Sequence, residues 1–274
     1  MPELPDLEVI RERLADRVTG LEITTAAVLH PFIVRDLTGG EATSDLAGRR
    51  IRAVDRHGKF LLLALDSGVT VAINPMLAGR IRHGQPLARD RKRDALTLTL
   101  SDGTELRYND TASMGKIYLA RDLNEVPTFA DSGPDALDPA LDFDVFAQRT
   151  RRHTGEIKGM LANQQFVAGI GNAYGDEICW HAQLYPFRRR PTLDPDELLQ
   201  LYTSMRTVLT DAIEVLRERI PDTLDAEVRD FLAVHGKPGQ PCPRCGSPIS
   251  EVKKERRATN FCRTCQPGLM VARR

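Results

Sequence analysis

The 274-residue sequence contains no apolar run that approaches the roughly 20 residues needed to span a bilayer. It is charged from Glu3 onward, so we expect neither a secretory signal nor a membrane anchor and assign the protein to the cytoplasm. It also lacks a net charge, because 38 basic and 38 acidic residues cancel, and this balance gives no indication of a nucleic-acid partner. The composition, 41% hydrophobic and 28% charged, is that of a globular protein long enough for two or three domains.

The charge is nevertheless unevenly distributed along the chain. From residue 236 to the end, nine Lys or Arg residues stand against only Glu251 and Glu255, so this part carries +7 and the first 235 residues carry −7. Lys and Arg residues that neutralise phosphates dominate the affinity of proteins for DNA. A basic terminal module on an acidic body therefore suggests contact with a polyanion, although a solvated surface run explains the charge alone equally well.

Cysteine is scarce, and four of the five cysteines form two Cys-x-x-Cys pairs, Cys242 with Cys245 and Cys262 with Cys265. Sixteen residues separate the pairs, which is the spacing of a four-cysteine zinc ribbon. Four thiolates close the coordination sphere of the metal, so we predict one structural zinc ion. Disulfides are the alternative, and a reducing compartment disfavours them. Cys179 lies in an apolar stretch and is predicted to be an inert buried thiol.

The first half of the chain has the pattern of one helix followed by strands. Apolar residues recur at helical spacing over 5–18 and predict a helix that holds the N-terminus in place. From about 20 to 120, short β-rich runs flank Gly-containing turns and predict hairpins, which favours a sandwich or a flattened barrel. The predicted hairpin strands are 59–65 with 69–73, and 96–100 with 105–108.

The second half of the chain has a helical pattern. A stretch rich in Pro, Gly and Asp at 131–139 predicts a domain boundary. Predicted helices follow at 143–150, 156–163 and 174–183. A fourth, longer helix is marked by Asp194 as the cap, Pro195 at its first position and Glu197, which completes a capping box. We therefore divide the chain into three domains, at residues 1–133, 134–235 and 236–274.

Five short motifs occur in a single order along essentially the whole chain. They are Met1-Pro2-Glu3-Leu4-Pro5, Gly58-Lys59-Phe60, Ile157-Lys158, Gly169-Ile170-Gly171-Asn172 and Arg257-Ala258-Thr259. In this order the chain resembles the formamidopyrimidine-DNA glycosylase / endonuclease VIII family. The resemblance implies an α+β protein with an N-terminal β-sandwich, a helix-two-turn-helix domain and a zinc finger. It also implies base-excision-repair glycosylase and abasic-site lyase activity on double-stranded DNA that contains a damaged base or an abasic site.

Pro2 has the chemistry that this reaction needs. Proline is the only residue whose free α-amine is secondary, and an α-amine with a pKa of about 8 is appreciably unprotonated at neutral pH. Once Met1 is removed, the amine can attack the sugar C1′, expel the base and leave an iminium that acidifies the C2′ proton. Glu3 can protonate the opening deoxyribose ring and shuttle protons. Met-Pro alone is a common start of a chain, so the assignment of Pro2 depends on Glu3 and on the other motifs.

Four further residues are candidates for the site. Lys59 precedes a strand, where it suits a phosphate contact or proton transfer, and the resemblance implies proton transfer. Asn172 follows a tight turn at a helix start, where phosphate binds, although an ordinary Asn cap is the other interpretation. The resemblance makes Arg257 the arginine that grips the phosphates at the damaged nucleotide and assists the second elimination. It makes Lys158 a DNA-facing lysine.

Three positions depart from the family pattern. Asp6 stands where the family usually has Glu, so the water or proton that it positions shifts by about an ångström. Leu77 and Met114 lie in the loops with which the purine branch of the family fills the gap left by the flipped base. Both side chains can still wedge into the stack, but the arginine that pairs with the orphaned base is absent. We therefore expect weak discrimination of the opposite base.

The stretch from Asp222 to Pro241 is too short for both the last helix of the domain and the long loop that covers 8-oxoguanine in the purine branch. This favours oxidised pyrimidines, ring-opened purines or abasic sites as substrates. Two other hypotheses stay open. One is a non-catalytic paralogue that binds damaged DNA, and the other is a zinc-ribbon regulator, which explains only the terminal module. We expect a monomer with no membrane contact, located at the nucleoid if the source is bacterial.

Overall fold

The computed structural model describes residues 1–88, 90, 93–254 and 257–268. The chain divides into two compact units. Unit 1 comprises Met1–Asp131 and Ile213–Val228, and unit 2 comprises Ser132–Ala212 and Arg229–Arg274. Strands dominate unit 1 and helices dominate unit 2, which confirms the α+β class. Among the described residues, no helix has the length and apolarity that a membrane crossing requires.

Unit 1 begins with helix α1 (Leu4–Val18), close to the predicted range. The apolar residues at helical spacing, among them Leu7, Leu14 and Val18, are buried, and the helix contacts the sheet of the same unit. Nine strands and a short helix, α2 (Ala42–Leu46), follow. The strands are β1 (Glu22–Val28), β2 (Val34–Asp36), β3 (Arg49–His57), β4 (Phe60–Leu65), β5 (Thr70–Asn74), β6 (Gly79–Gly84), β7 (Asp94–Leu100), β8 (Glu105–Asp110) and β9 (Lys116–Ala120).

The nine strands are hydrogen-bonded in the order β2-β9-β5-β4-β3-β1-β7-β8-β6. Both predicted hairpins are confirmed, since β4 pairs with β5 and β7 pairs with β8, each antiparallel. The two halves of this order join at β1 and β3 through only two residue pairs, Glu22 with Arg50 and Ile23 with Arg49. A register shift follows directly after Ile23, and such bulges bend a strand sharply. The predicted sandwich is therefore continuous at one corner, where β1 passes from one half to the other.

Strand β4 is apolar along its whole length because both of its faces are buried. Phe60 and Leu62 belong to one buried cluster with Tyr118, whereas Leu61 and Leu63 point to the opposite face and are also fully buried. Helix α1 contacts β3 and β4. Strand β7 is likewise largely buried on both faces, although its Leu and Thr residues alternate, because Thr97 is only 4% exposed and Thr99 is partly buried. The alternation of Leu with Thr therefore does not mark a solvated face.

Unit 2 contains helices α3 (Phe143–Thr150), α4 (Ile157–Leu161) and α5 (Asn172–His181), which lie within or near the predicted ranges. Helix α6 (Pro195–Arg219) begins as predicted. Glu197 N donates to Asp194 Oδ1 at 2.8 Å and Asp194 N donates to Glu197 Oε2 at 3.0 Å, which completes the capping box. Residues 220–249 contain no further helix, so the short stretch after α6 holds no last helix of the domain. Strands β10 (Ser250–Lys254) and β11 (Arg257–Phe261) form a terminal hairpin.

Candidate functional site

The N-terminal residues of unit 1 are fixed by a capping box at the start of helix α1. Glu3 N donates to Asp6 Oδ2 at 2.8 Å, and Asp6 N donates in return to the Glu3 carboxylate. Both carboxylates are buried, with 2% and 4% of their surface exposed. Two N–H groups that the first turn of a helix leaves unpaired are thereby satisfied. The shorter Asp6 side chain still reaches Glu3 N, so the Asp at this position keeps the two candidate residues joined by reciprocal bonds from backbone N–H to carboxylate.

Pro2 is buried directly before this capping box. With Asp6, Arg80, Leu224 and Glu227 it lines a crevice of about 10 Å³, space for no more than about one water molecule. The α-ammonium of Met1 donates to Glu227 Oε1 at 3.0 Å, and Arg80 pairs with the other oxygen of the same carboxylate. The chain start is thus held by a carboxylate that lies far from it in sequence. Sequence reasoning missed Glu227, because it belongs to no recognisable motif.

Lys59 lies at the tip of the hairpin that joins β3 to β4. His57 pairs with Phe60 across a two-residue turn in which Gly58 adopts a φ of +54°, a conformation that favours glycine. The Lys59 side chain is partly exposed. The turn therefore places a partly exposed cationic residue at the end of strands β3 and β4, where a proton-transfer or phosphate-binding role requires one.

Leu77 and Met114 lie on two loop tips of unit 1, with 53% and 43% of their surface exposed. Each follows a non-glycine residue with a left-handed backbone, Met76 at φ +50° and Ser113 at φ +52°. Such conformations are costly for residues with a Cβ atom, and they cluster at functional sites. Two strained loops therefore hold large apolar side chains out in the solvent, which suits their predicted insertion between bases.

The four paired cysteines of unit 2 meet at one point, with all four Sγ atoms within 4.8 Å of one another. Cys245 and Cys262 approach to 3.4 Å, and Cys242 and Cys265 to 3.9 Å. A tetrahedral site with Zn–S bonds of about 2.3 Å has edges of about 3.8 Å, so the cluster fits zinc. Trp180 Nε1 donates to Cys242 Sγ at 3.4 Å, which orients one ligand from outside the cluster.

The hairpin of β10 and β11 carries Arg257, whose side chain is exposed. Asn172 Nδ2 donates to Ala258 O at 2.9 Å, and Lys158 Nζ donates to Thr259 Oγ1 at the same distance. Asn172 is the first residue of α5 and Lys158 belongs to α4. The predicted DNA-binding residues of unit 2 therefore meet at the hairpin, where two of them hold the strand of the third.

Lys158 differs from its predicted placement, because it is buried and faces the interior of unit 2. Its Nζ pairs with Asp176 at 2.6 Å, and the second oxygen of Asp176 pairs with His235 Nδ1 at 2.7 Å. Removing one member of a buried ion pair typically costs about 3–5 kcal/mol, because a buried charge is left uncompensated. This link makes Lys158 a support for the hairpin. Asp176 was not identified from the sequence, although it lies four residues after Asn172 and therefore on the same face of α5 as that candidate residue.

Glu177, beside Asp176, holds the segment that leads into the zinc module. Its carboxylate accepts from the backbone N–H groups of Ala233, Val234 and His235 at 2.7, 2.9 and 2.8 Å. Burial raises the pKa of Glu177, and these three hydrogen bonds act in the opposite direction. Cys179, two residues further along α5, is fully buried, and burial raises the pKa of its thiol, as the prediction of an inert cysteine requires.

We expect one zinc ion per chain and expect Cys262→Ala to lower the zinc content well below one, because one of four ligands is lost. The fluorescence of Trp180, the only tryptophan, should change with it, since Trp180 contacts the cluster through Cys242. Elemental analysis and emission spectra measure both effects. Cys179→Ala is the matched control and should keep one zinc. Full zinc occupancy in Cys262→Ala would contradict the assignment.

Comparison with known proteins identifies relatives of the whole chain. Three family models match in succession, described as the formamidopyrimidine-DNA glycosylase N-terminal domain (residues 1–117), the formamidopyrimidine-DNA glycosylase H2TH domain (132–222) and a zinc finger found in FPG and IleRS (239–268). The formamidopyrimidine-DNA glycosylase of Heliobacterium modesticaldum is 37% identical over 276 residues, with 97% of this chain and 100% of the relative covered. That of Thermus thermophilus is 36% identical, with 97% and 98% covered.

Solved structures agree with the sequence relatives. Lactococcus lactis Fpg in complex with DNA that contains an abasic site matches with a TM-score of 0.86 at 30% identity, covering 97% of this chain and 100% of that one. The complex of Lactococcus lactis Fpg with DNA that contains Fapy-dG has the same TM-score and identity. The predicted fold and zinc finger are thereby confirmed. The chain belongs to the formamidopyrimidine-DNA glycosylase family.

Proposed function

We propose that Pro2 is the nucleophile of this base-excision-repair DNA glycosylase and abasic-site lyase. The family gives the overall activity, and the solved relatives bind DNA with an abasic site or Fapy-dG. The observation that carries the assignment of Pro2 is the buried capping box of Glu3 and Asp6, which fixes the chain directly after Pro2. A nucleophile at a loose terminus would have to be ordered anew in every turnover, at a cost in entropy.

The reaction follows from a secondary amine at this position. After removal of Met1, the Pro2 nitrogen forms a bond to C1′ as the bond from C1′ to the base breaks, and the base leaves with a proton. Opening of the deoxyribose ring gives an iminium between Pro2 and C1′. The positive nitrogen acidifies the C2′ proton, whose removal breaks the bond from C3′ to its oxygen and cleaves the strand. Water then hydrolyses the iminium and restores the amine.

Three residues of unit 1 support these steps in the proposal. Glu3 protonates the ring oxygen and later returns the proton. Asp6 orients Glu3 through the hydrogen bond from Glu3 N. Lys59 transfers a proton or neutralises a phosphate beside the sugar from the tip of its hairpin. In unit 2, Arg257 grips the phosphates at the damaged nucleotide, and Asn172 and Lys158 hold its strand, with Asn172 at the start of α5, where phosphate is favoured.

The substrate proposal rests on the segment after α6, where the purine branch of the family has the long loop that covers 8-oxoguanine. Residues 220–249 form neither a helix nor a strand, and part of this segment is held within unit 2, because Glu177 accepts from the backbone N–H groups of Ala233, Val234 and His235. We infer a preference for oxidised pyrimidines, ring-opened purines and abasic sites over 8-oxoguanine. Leu77 and Met114 fill the gap left by the flipped nucleotide. The named relatives are bacterial, so we infer that the protein works on the nucleoid in the cytoplasm.

Borohydride should trap a covalent complex between abasic-site DNA and the processed protein, because reduction converts the iminium into a stable amine. Protein that retains Met1 should trap nothing, since its Pro2 nitrogen is an amide. Pro5→Ala is the matched control, because Pro5 lies three residues after Pro2, in the first turn of α1, and has no free amine. Denaturing electrophoresis and intact mass separate the three cases. An adduct with the protein that retains Met1, or no adduct with the processed protein, would refute the assignment of Pro2 as the nucleophile. Tight binding without strand cleavage would support the non-catalytic paralogue.

A panel of duplexes, each with one defined lesion, should show faster excision of ring-opened purines and oxidised pyrimidines than of 8-oxoguanine. We also expect the rates to change by less than about tenfold when the opposite base is varied, because the wedge loop has Ala112 and Met114 and no arginine. Single-turnover rates of base release measure both effects. A strong preference for 8-oxoguanine opposite cytosine would contradict the substrate proposal.

A further inference from the structure

Tyr108 lies between the two loops that carry the candidate wedge residues. It is one of the largest fully enclosed side chains of unit 1, with 2% of its surface exposed. A Cβ atom placed on Gly79 would come within 2.0 Å of the Tyr108 hydroxyl oxygen, and one placed on Gly115 within 1.7 Å. The hydroxyl group is therefore packed against the backbones of both loops at once, and only glycine fits at either contact.

Polar contacts join the same elements. The Tyr108 hydroxyl donates to Pro75 O at 3.3 Å, and Gly79 N donates to the same carbonyl at 3.0 Å, which closes the loop around Leu77. Asp110 lies two residues along β8 and so on the same face of the strand. Tyr108 and Asp110 therefore form one side-chain pair that reaches both loops.

Asp110 organises the second loop. Its Oδ1 accepts from Ala112 N at 2.9 Å and its Oδ2 accepts from Gly115 N at 2.6 Å, on either side of Met114. Burial and the negative charge of Asp110 raise the pKa of Tyr108, so the hydroxyl keeps its proton and remains a donor at physiological pH. Each loop is thus closed by hydrogen bonds to one member of the pair.

We propose that Tyr108 and Asp110 act as a clasp that positions Leu77 and Met114 together for insertion into the DNA stack at the lesion. The proposal rests on the wedge role assigned to these two residues under the proposed function. Tyr108 and Asp110 are positioning residues, because they lie beneath the loop tips and act through them. Pro75, the acceptor of the Tyr108 hydroxyl, also lines the crevice at Pro2, so the clasp fixes one wedge relative to the nucleophile.

The strained backbones explain why a clasp is needed. Met76 and Ser113 adopt left-handed conformations next to the exposed tips, and such conformations persist only where the surroundings determine them. Loss of the hydroxyl group removes the shared contact from both loops. We expect the tips to sample other conformations, so that insertion becomes slower while the chemistry at Pro2 is retained once the DNA is engaged.

The test uses the full-length protein and a duplex with a tetrahydrofuran abasic-site analogue opposite 2-aminopurine, whose fluorescence rises when stacking is lost. Because this analogue cannot be cleaved, the signal reports insertion without chemistry. Tyr108→Phe should slow the rise by about tenfold, as expected for the loss of one buried hydrogen bond. Tyr118→Phe, also buried in unit 1, is the matched control and should behave as the wild type. Thermal unfolding of each variant verifies the fold.

Asp110→Asn provides a second, independent variant, because an amide nitrogen cannot accept the bond from a backbone N–H. We expect it to slow insertion as well, and the double variant to be no slower than the slower single one, since both act on one clasp. A rise in Tyr108→Phe as fast as in the wild type would overturn the proposal, and so would equal slowing by Tyr118→Phe. Failure of the proposed function is seen separately, as a wild-type protein that inserts normally but traps no adduct with abasic DNA.

Discussion

The capping box between Glu3 and Asp6 is the interaction on which the candidate active site depends. It satisfies unpaired N–H groups of α1 and buries two carboxylates directly after Pro2. The same helix contacts the sheet of unit 1, so the terminus belongs to the core rather than to a tail. A chain start is ordinarily among the least ordered parts of a domain. Here, folding of the first helix orders Pro2, the proposed nucleophile, before any substrate binds, so in the proposed reaction binding energy remains available for the chemical steps.

In unit 2, buried charged side chains likewise hold a candidate residue in place, here the exposed Arg257. Asp176 lies between Lys158 and His235, and Lys158 in turn bonds to the strand of Arg257. The zinc cluster closes the other end of the hairpin. Arg257 can therefore keep a defined position with an exposed side chain, which a phosphate contact at a single nucleotide requires. The loops of Leu77 and Met114 in unit 1 follow the same principle through Tyr108 and Asp110.

The sequence predicted the parts of this protein that depend on local spacing. The capped start of α6, the two hairpins and the zinc ligands follow from patterns within a few residues or within one pair of motifs. It did not predict that Lys158 is buried, because its partner Asp176 is contributed by another helix. Nor did it identify Glu227 or Tyr108, whose partners lie on other strands or loops. Contacts between distant segments are set by packing, which a single sequence does not encode in any local pattern.

The position of the trapped adduct shows whether Pro2 is the nucleophile. After borohydride reduction with abasic DNA, nuclease and trypsin digestion should leave a sugar remnant on a single peptide, that of residues 2–11. Fragmentation spectra should place the added mass on the nitrogen of Pro2, because Pro2 lines a crevice with Asp6 and directly precedes the capping box of Glu3 and Asp6. An adduct on Lys59, or on any other lysine, would contradict the account, since the capping box would then position a residue that does not react.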